Sequence, residues 1–286
     1  MERNALIQKL EDKAPRYRVD ILEMLTEAGS GHPGGSLSAI DLISALYHGK
    51  LRHRPDEPHW DRRDRFVLSK GHGVPAQYAV MADLGYFPRE QLWTLRKLGS
   101  ALQGHPCKQY LAGIDASTGS LGQGLSMAQG MALASRLDGD RYQVYCMMGD
   151  GESQEGQVWE AAMSAAKYKL GALTLILDYN KGQIDGYTRD VMDLEPLGDK
   201  WRAFGWHVIT IDGHDYAQIL DALDESERVV GRPSIIIAHT LKGKGVKFME
   251  ENIGSWHGVA PSREEADRAI AEVRRRANLS LEEAVR

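Results

Sequence analysis

A carboxylate at the end of one apolar run and a carboxamide at the end of the next are the side chains whose placement most suggests chemistry. Val144 to Met148 is apolar and breaks into Gly149-Asp150-Gly151, and Leu173 to Leu177 is apolar and ends at Asp178-Tyr179-Asn180. Short apolar runs that stop at such turns read as buried strands of a parallel sheet. Between them, Val158, Ala161, Ala162, Ala165 and Ala166 recur at helical spacing, so Tyr142 to Asp185 reads as a βαβ unit. Parallel sheets bind ligands beyond the carboxyl ends of their strands, which aims Asp150 and Asn180 at one space. One anionic and one neutral oxygen suit Mg²⁺, a cation that shares phosphate oxygens and holds near-octahedral geometry. The turn glycines let backbone N–H groups come close to phosphate. The spacing thus permits a metal–diphosphate site. It equally permits Asp and Asn serving only as turn residues.

Histidines supply a second pattern. Of ten, four sit against glycine: His32 in GHPGG, His72 in KGHG, His105 in GHP and His257 in WHG. Any one alone is most simply a polar loop residue. Four together, each in a loop stiffened by Gly or Pro, point to a shared cleft. Imidazole titrates near neutrality and both donates and accepts, which suits diphosphate binding and proton transfer to sugar hydroxyls. No His-x₃₋₄-His or Cys pair accompanies them, so zinc is not indicated. His48, His53, His59 and His214 lack this context and read as surface residues. Glu155 and Glu160, at the start of the helix after Gly151, favour that helix's N-terminus by up to about 1 kcal/mol. Burial at a subunit contact is the other reading of that pair.

Elements able to position these residues follow in order. A charged leader helix around Leu6 and Leu10 is set off by Pro15 from a helix over 16–28. The glycine-rich segment 30–36 comes next, with Ser38 as the N-cap of a helix to about Tyr47. Strand 65–68 leads to a helix over about 75–84, and Pro88 opens a helix over 89–98. The 117–124 glycine stretch runs into a helix ending near Leu137. Strands at 207–211 and 234–238 flank a helix over 215–229, and a charged helix from Ser262 forms the tail. Strands alternating with helices give one α/β domain over 1–286, with a parallel sheet of about five or more strands flanked by helices.

Composition narrows the class. At 286 residues and 42% hydrophobic, the chain can build a sizeable core, and its net charge of −5 offers no basic field for nucleic acid. No apolar run approaches the roughly 18 residues of a membrane span, and the N-terminus lacks a signal-peptide core. The two cysteines, Cys107 and Cys146, have no metal spacing, and Cys146 lies inside an apolar strand as a core residue. A reduced, cytoplasmic protein is expected.

Gly151 and Asn180 are separated by 28 residues (152 to 179). GDG, that interval, then Asn resembles the thiamine-diphosphate signature. Over essentially its whole length the chain resembles the N-terminal, diphosphate-binding domain of transketolase. The carrying motifs, in order, are SGHPGG, LSKGHG, QGHP, TGSLGQGLS, GDGESQEGQVWEAA, NKGQIDG, TLKGKGV and WHG. The resemblance implies the thiamine-diphosphate-binding fold. It implies that Asp150, Asn180 and the carbonyl of Gly182 hold Mg²⁺ or Ca²⁺. Gly151, His72 and His257 would meet the diphosphate or thiazolium, and Gly119 and Leu121 the aminopyrimidine. His32, Ser120, Gly149 and Glu152 complete the implied cofactor contacts, Ser120 standing where some members carry Pro. His32, His105 and His257 would reach the donor ketose, and Glu155 and Glu160 would be interface carboxylates linking two active sites.

Transketolases of the usual kind run to more than twice this length. Their second domain supplies a glutamate that activates the aminopyrimidine and basic residues that grip the sugar phosphate. The chain therefore resembles the separate N-terminal subunit of a split transketolase, with a charged helix, ANLSLEEAVR, as its expected end. Its expected partner is a C-terminal subunit in an α2β2 assembly acting on sugars or sugar phosphates. Another thiamine-dependent ketol- or acyl-transferring enzyme, or a non-catalytic module, are the alternatives. Neither nucleic acid nor membrane is an expected partner.

Overall fold

Strand β1 (Arg65–Leu68), β2 (Val144–Gly149), β3 (Leu173–Tyr179), the short hairpin β4 (Gly182–Gln183) and β5 (Gly186–Tyr187), β6 (His207–Asp212) and β7 (Ser234–His239) follow one another along the chain. Five of them form one parallel sheet in the order β1-β2-β3-β7-β6. The computed structural model describes residues 2–277. The expected α/β class is what the chain adopts. The central strands β2, β3 and β7 read as largely apolar runs because both faces are covered. Tyr145, Met147, Ile176 and Ile236 pack under α1 (Arg3–Ala28), α2 (Pro33–Gly49) and α3 (Val74–Asp83). Val144, Cys146, Met148, Leu175 and Ile237 pack under α4 (Gln123–Asp138) and α5 (Gly156–Lys167). Helices α6 (Thr188–Val191), α7 (Leu197–Ala203), α8 (Tyr216–Arg228), α9 (Lys247–Glu250) and α10 (Arg263–Arg276) complete the order.

Sheet order turns back between β3 and β7, the place where such sheets open a ligand crevice. Register then sets what meets there. Gly149 lies opposite Asp178, and Tyr179 opposite His239. The turns that leave β1, β2, β3 and β7 carry Lys70, Asp150, Asn180 and Lys242.

Several boundaries differ from the sequence reading. Pro15 does not divide two helices, because α1 runs through it as one helix of 26 residues. Proline removes an N–H and crowds the preceding turn, yet Leu10, Tyr17, Ile21 and Leu22 on either side are fully buried and keep the helix whole. Ser38 is not an N-cap. Helix α2 starts at Pro33, with His32 at the N-cap position and proline in the first turn, where its missing donor costs nothing. Gly34 and Gly35 are therefore helical. They are small because a β-carbon on Gly34 would lie 2.7 Å from the Trp256 carbonyl oxygen, and one on Gly35 3.4 Å from the Lys70 ammonium. The segment after Pro88 is a 3₁₀ turn, Arg89–Thr94, not a helix to Leu98. Residues 278–286, most of the expected terminal helix segment, lie outside the described residues.

Candidate active site

The four glycine-flanked histidines converge. The ring centroids of His32, His72 and His257 lie 5.0, 5.7 and 5.5 Å apart pairwise. His105 packs on the TGSLGQG loop, where a β-carbon on Gly119 would stand 2.9 Å from its ring. All four titrate below the ordinary imidazole range. Burial is the first cause in each. It is reinforced by Arg96 for His32 and His105, by Lys70 for His72, and by Lys242 for His257. His32 is brought to about 4 and His257 to about 3. These rings are neutral at physiological pH. The Nδ1 of His32 is buried with no hydrogen-bond partner.

Beside them lies a cavity of about 210 Å³, lined among others by Gly35, Lys70, His72, Asp150, Asn180 and Lys242. Leu121, Gly149, Gly151, Glu152, Glu155, Gly182 and His257 also reach it, whereas His32, His105, Gly119, Ser120 and Glu160 do not line it. Ser120 and Glu160 are exposed. Glu155 stands at the N-cap of α5 without a side-chain capping bond, so neither glutamate is buried within this chain.

Asp150 joins two strand ends. Its Oδ1 accepts the Gly151 N–H at 2.8 Å and its Oδ2 accepts the Lys181 N–H. The Gly151 N–H is thereby used inside the turn, and Gly151 itself lines the cavity. Asn180 accepts the Gly182 N–H at 3.1 Å and donates to Ser38 Oγ and Asp178 Oδ2. Asp178 forms the floor. Burial works against its charge, but the Lys70 ammonium, Ser38 and Thr240 outweigh burial and hold the carboxyl below its usual range.

Two charges stay uncompensated among the described residues. Asp150 is 1% exposed and pairs with no cationic side chain; burial, then the Asp178 charge, push its carboxyl up to about 7. Lys242 is 1% exposed and pairs with no carboxylate; burial, then Lys70, push its ammonium down to about 8. Its Nζ donates to His257 Nδ1 at 2.7 Å. An ammonium cannot accept, so the remaining ring proton of His257 sits on Nε2. A buried carboxylate with a carboxamide oxygen beside it fits a hard divalent cation. A buried ammonium with two imidazoles beside it fits an anion. The residues present therefore fit a metal–diphosphate group.

Glu152 reaches the cavity, but both its oxygens are occupied by protein donors. Oε1 accepts the Ser69 hydroxyl and, at 2.9 Å, the Gly122 N–H; Oε2 accepts the Gly149 N–H at 3.3 Å. Glu152 thus ties three loops together through its side chain at the wall of the cavity. Glu152→Ala strands three buried donors and is expected to cost about 3 kcal/mol, read from urea unfolding midpoints at constant m-value.

Sequence reasoning passed over Lys70 and Lys242, although both stand inside motifs it singled out, LSKGHG and TLKGKGV. It also misplaced three histidines. His48 bonds the Tyr17 hydroxyl at 2.8 Å, and His53 bonds the Tyr47 carbonyl at 3.0 Å. His214 bridges Asp41 and the Leu241 N–H at 2.7 and 2.9 Å, anchoring the turn that carries Lys242. Only His59 is exposed as expected, and Cys146 is a fully buried core residue.

A parallel sheet whose strand ends gather an unpaired carboxylate, a carboxamide, an unpaired ammonium and neutral imidazoles defines a diphosphate-binding α/β protein. Residues 11–281 match the family described as transketolase, thiamine diphosphate binding domain, and the chain belongs to that family. It is 48% identical over 264 residues to a 6-deoxy-6-sulfo-D-fructose transketolase subunit of Clostridium sp. (strain MSTE9), covering 92% of this chain and 96% of that protein. It is 42% identical over 270 residues to an apulose-4-phosphate transketolase subunit of Phocaeicola vulgatus, covering 94% and 95%. The transketolase structure from Campylobacter jejuni superposes with a TM-score of 0.88 at 34% identity, over 98% of this chain and 44% of that one. The chain therefore matches proteins named as transketolase subunits along nearly their whole length, and spans less than half the length of the Campylobacter jejuni transketolase.

Proposed function

We propose that this chain is a single thiamine-diphosphate-binding domain that acts as the N-terminal subunit of a two-polypeptide transketolase. It moves a two-carbon ketol unit from a ketose to an aldose, and its partner is a C-terminal subunit in an α2β2 assembly. The observation that carries this reading is the pair of uncompensated buried charges, Asp150 and Lys242, in one cavity beside neutral histidines. Asp150, Asn180 and the Gly182 carbonyl would hold Mg²⁺ or Ca²⁺. Lys242, His72 and His257 would face the diphosphate, and Gly119, Ser120 and Leu121 the aminopyrimidine. Bound thiamine diphosphate supplies an electron sink for cleaving the carbon–carbon bond beside a ketose carbonyl.

The chain's own part is orientation and proton handling. A neutral imidazole donates from one nitrogen and accepts at the other, so His32 and His105 can grip the donor's hydroxyls and carry protons between them, while His257, whose Nδ1 already accepts from Lys242, donates through its Nε2–H. Burial keeps these bonds strong by excluding water. Glu155 and Glu160 would meet their counterparts across a contact between two copies of this chain. The sugar is open. Relatives covered along nearly their whole length are named for 6-deoxy-6-sulfo-D-fructose and for apulose 4-phosphate, which supports a donor outside the common pentose and hexose phosphates.

The test is ketol transfer to an aldose phosphate from xylulose 5-phosphate, 6-deoxy-6-sulfo-D-fructose and apulose 4-phosphate, each with thiamine diphosphate and Mg²⁺. The chain is assayed alone and mixed with the C-terminal polypeptide encoded beside it. Turnover only in the mixture is the expected result. Turnover by the chain alone contradicts the two-polypeptide reading, and no turnover with bound cofactor contradicts ketol transfer among these sugars.

A further inference from the structure

Arg96 is a solvent-exposed arginine whose guanidinium lies against the two histidine loops it acts on. It is one of few non-glycine residues with a left-handed backbone, at φ 62, and its N–H is fixed to the Leu102 carbonyl at 2.9 Å. Its neighbours Arg89 and Lys97 pair with Asp20 and Glu27; among the described residues Arg96 pairs with no carboxylate. The guanidinium instead lies on glycine. A β-carbon on Gly104 would stand 2.5 Å from Cζ and 2.7 Å from Nε, and one on Gly31 3.8 Å from Nε. Nη2 points at the Gly104 carbonyl from 3.4 Å. Gly31 and Gly104 are the residues directly before His32 and His105. The left-handed turn and the two bare glycines together seat one positive charge between two histidine loops that are distant in sequence.

We propose that Arg96 is a positioning residue for these two histidines, its guanidinium holding the His32 and His105 loops together and setting its positive charge beside both rings. The histidines' use in turnover rests on the ketol-transfer reading; the electrostatic link does not. Groups facing His32 are Arg96, His105, Lys70 and Lys242, with the rings of His72 and His257 at 5.0 and 5.7 Å. For His105, Arg96 is the one charge that adds to burial. His72 and His257 are held down by burial, by Lys70 (and Lys242 for His257) and by neighbouring histidine rings, with Arg96 not among the causes. Arg96 sits against the loops of two of the four clustered rings, so its charge acts on those two directly and on the others only through them.

The experiment is an NMR titration of the histidine ring Cε1–H signals in the full chain. Signals are assigned with single His→Gln variants, and the parent is compared with Arg96→Gln and Arg96→Lys. Arg96→Gln is expected to raise the midpoints of His32 and His105 by about half a pH unit to one unit, leaving those of His72 and His257 in place. Arg96→Lys, which restores the charge on the same backbone, is expected to return both midpoints toward the parent's. Four rings moving together, or none moving, overturns the proposal. In the two-polypeptide enzyme the acidic limb of kcat/KM should rise with the NMR midpoints in Arg96→Gln. A limb that stays while the midpoints move overturns the positioning role. Absence of turnover in the parent counts against ketol transfer alone, and the NMR result still decides the electrostatic link.

Discussion

Asp150→Asn is expected to weaken Mg²⁺-dependent binding of thiamine diphosphate at least about 100-fold, since a lost metal ligand outweighs the 10–100-fold typical of its supporting residues, and yet to unfold no earlier than the parent at pH 8. The carboxyl titrates near 7 in the folded chain against 3.8 ordinarily. A folded value above the unfolded one contributes stability at low pH that is lost as pH rises from the ordinary value through the folded one. By pH 8 the folded chain without ligand carries a buried charge facing Asp178, a penalty on the order of 4 kcal/mol. Asparagine removes that charge and keeps the acceptor for Gly151. It gives up one bond, to the Lys181 N–H, worth about 1 kcal/mol. The net change without ligand is therefore zero or favourable, while a divalent cation loses the one anionic oxygen among its three proposed ligands. Thermal unfolding at pH 6 and pH 8, with and without Mg²⁺ and thiamine diphosphate, measures both effects. The parent should gain more from the ligands at pH 8 than at pH 6, because a cation relieves a charge that is present only at the higher pH. A variant still stabilised by the added pair would show that Asp150 is not the cation's ligand.

Much of this arrangement was legible because parallel strands and ligand turns have local signatures. Apolar runs ending in Gly149 and Asp178, and helical spacing between them, fixed the βαβ unit to within a residue or two of β2, α5 and β3. Four histidines beside glycine were enough to expect one cleft; three of their rings lie within 6 Å of each other, and His72 and His257 line the cavity. What escaped depends on contacts between segments far apart in the chain. Ser38 carries every mark of an N-cap, but its hydroxyl is drawn to Asp178, 140 residues away. Gly34 and Gly35 look like loop residues and are helical, since their missing side chains make room for Trp256 and Lys70. His214 resembles a surface histidine until Asp41 and the Leu241 N–H are brought to its two nitrogens. Lys70 and Lys242 were hidden by habit of reading, because lysine is usually solvated. Nothing local distinguishes a lysine that the fold will bury beside a second one.

Lys242→Met isolates the other half of the charge pair. Methionine replaces the stem with an apolar chain of similar length, so burial is kept and the ammonium is lost. A diphosphate would lose a charge-assisted bond worth about 1.5–3 kcal/mol, which lowers affinity about 10- to 100-fold. The sign of the stability effect follows from the lowered titration, near 8 against an ordinary 10.5. The unfolded chain binds the proton more tightly between those values, so stability contributed by this group rises as pH climbs from 8 to 10.5. Below pH 8 the folded chain holds the buried ammonium at a penalty, which the substitution removes. The two site charges also attract each other, since Asp150 favours the charged form of Lys242. Each single variant therefore leaves its former counter-charge less well compensated. Asp150→Asn combined with Lys242→Met is expected to be more stable than the sum of the two singles by about 1 kcal/mol, as coupled neighbours are. Urea unfolding of the four chains without ligand at pH 7.5 reads this coupling. Strict additivity would mean that the two charges do not share the cavity's field, and a metal–diphosphate pair would then have no reason to bind between them.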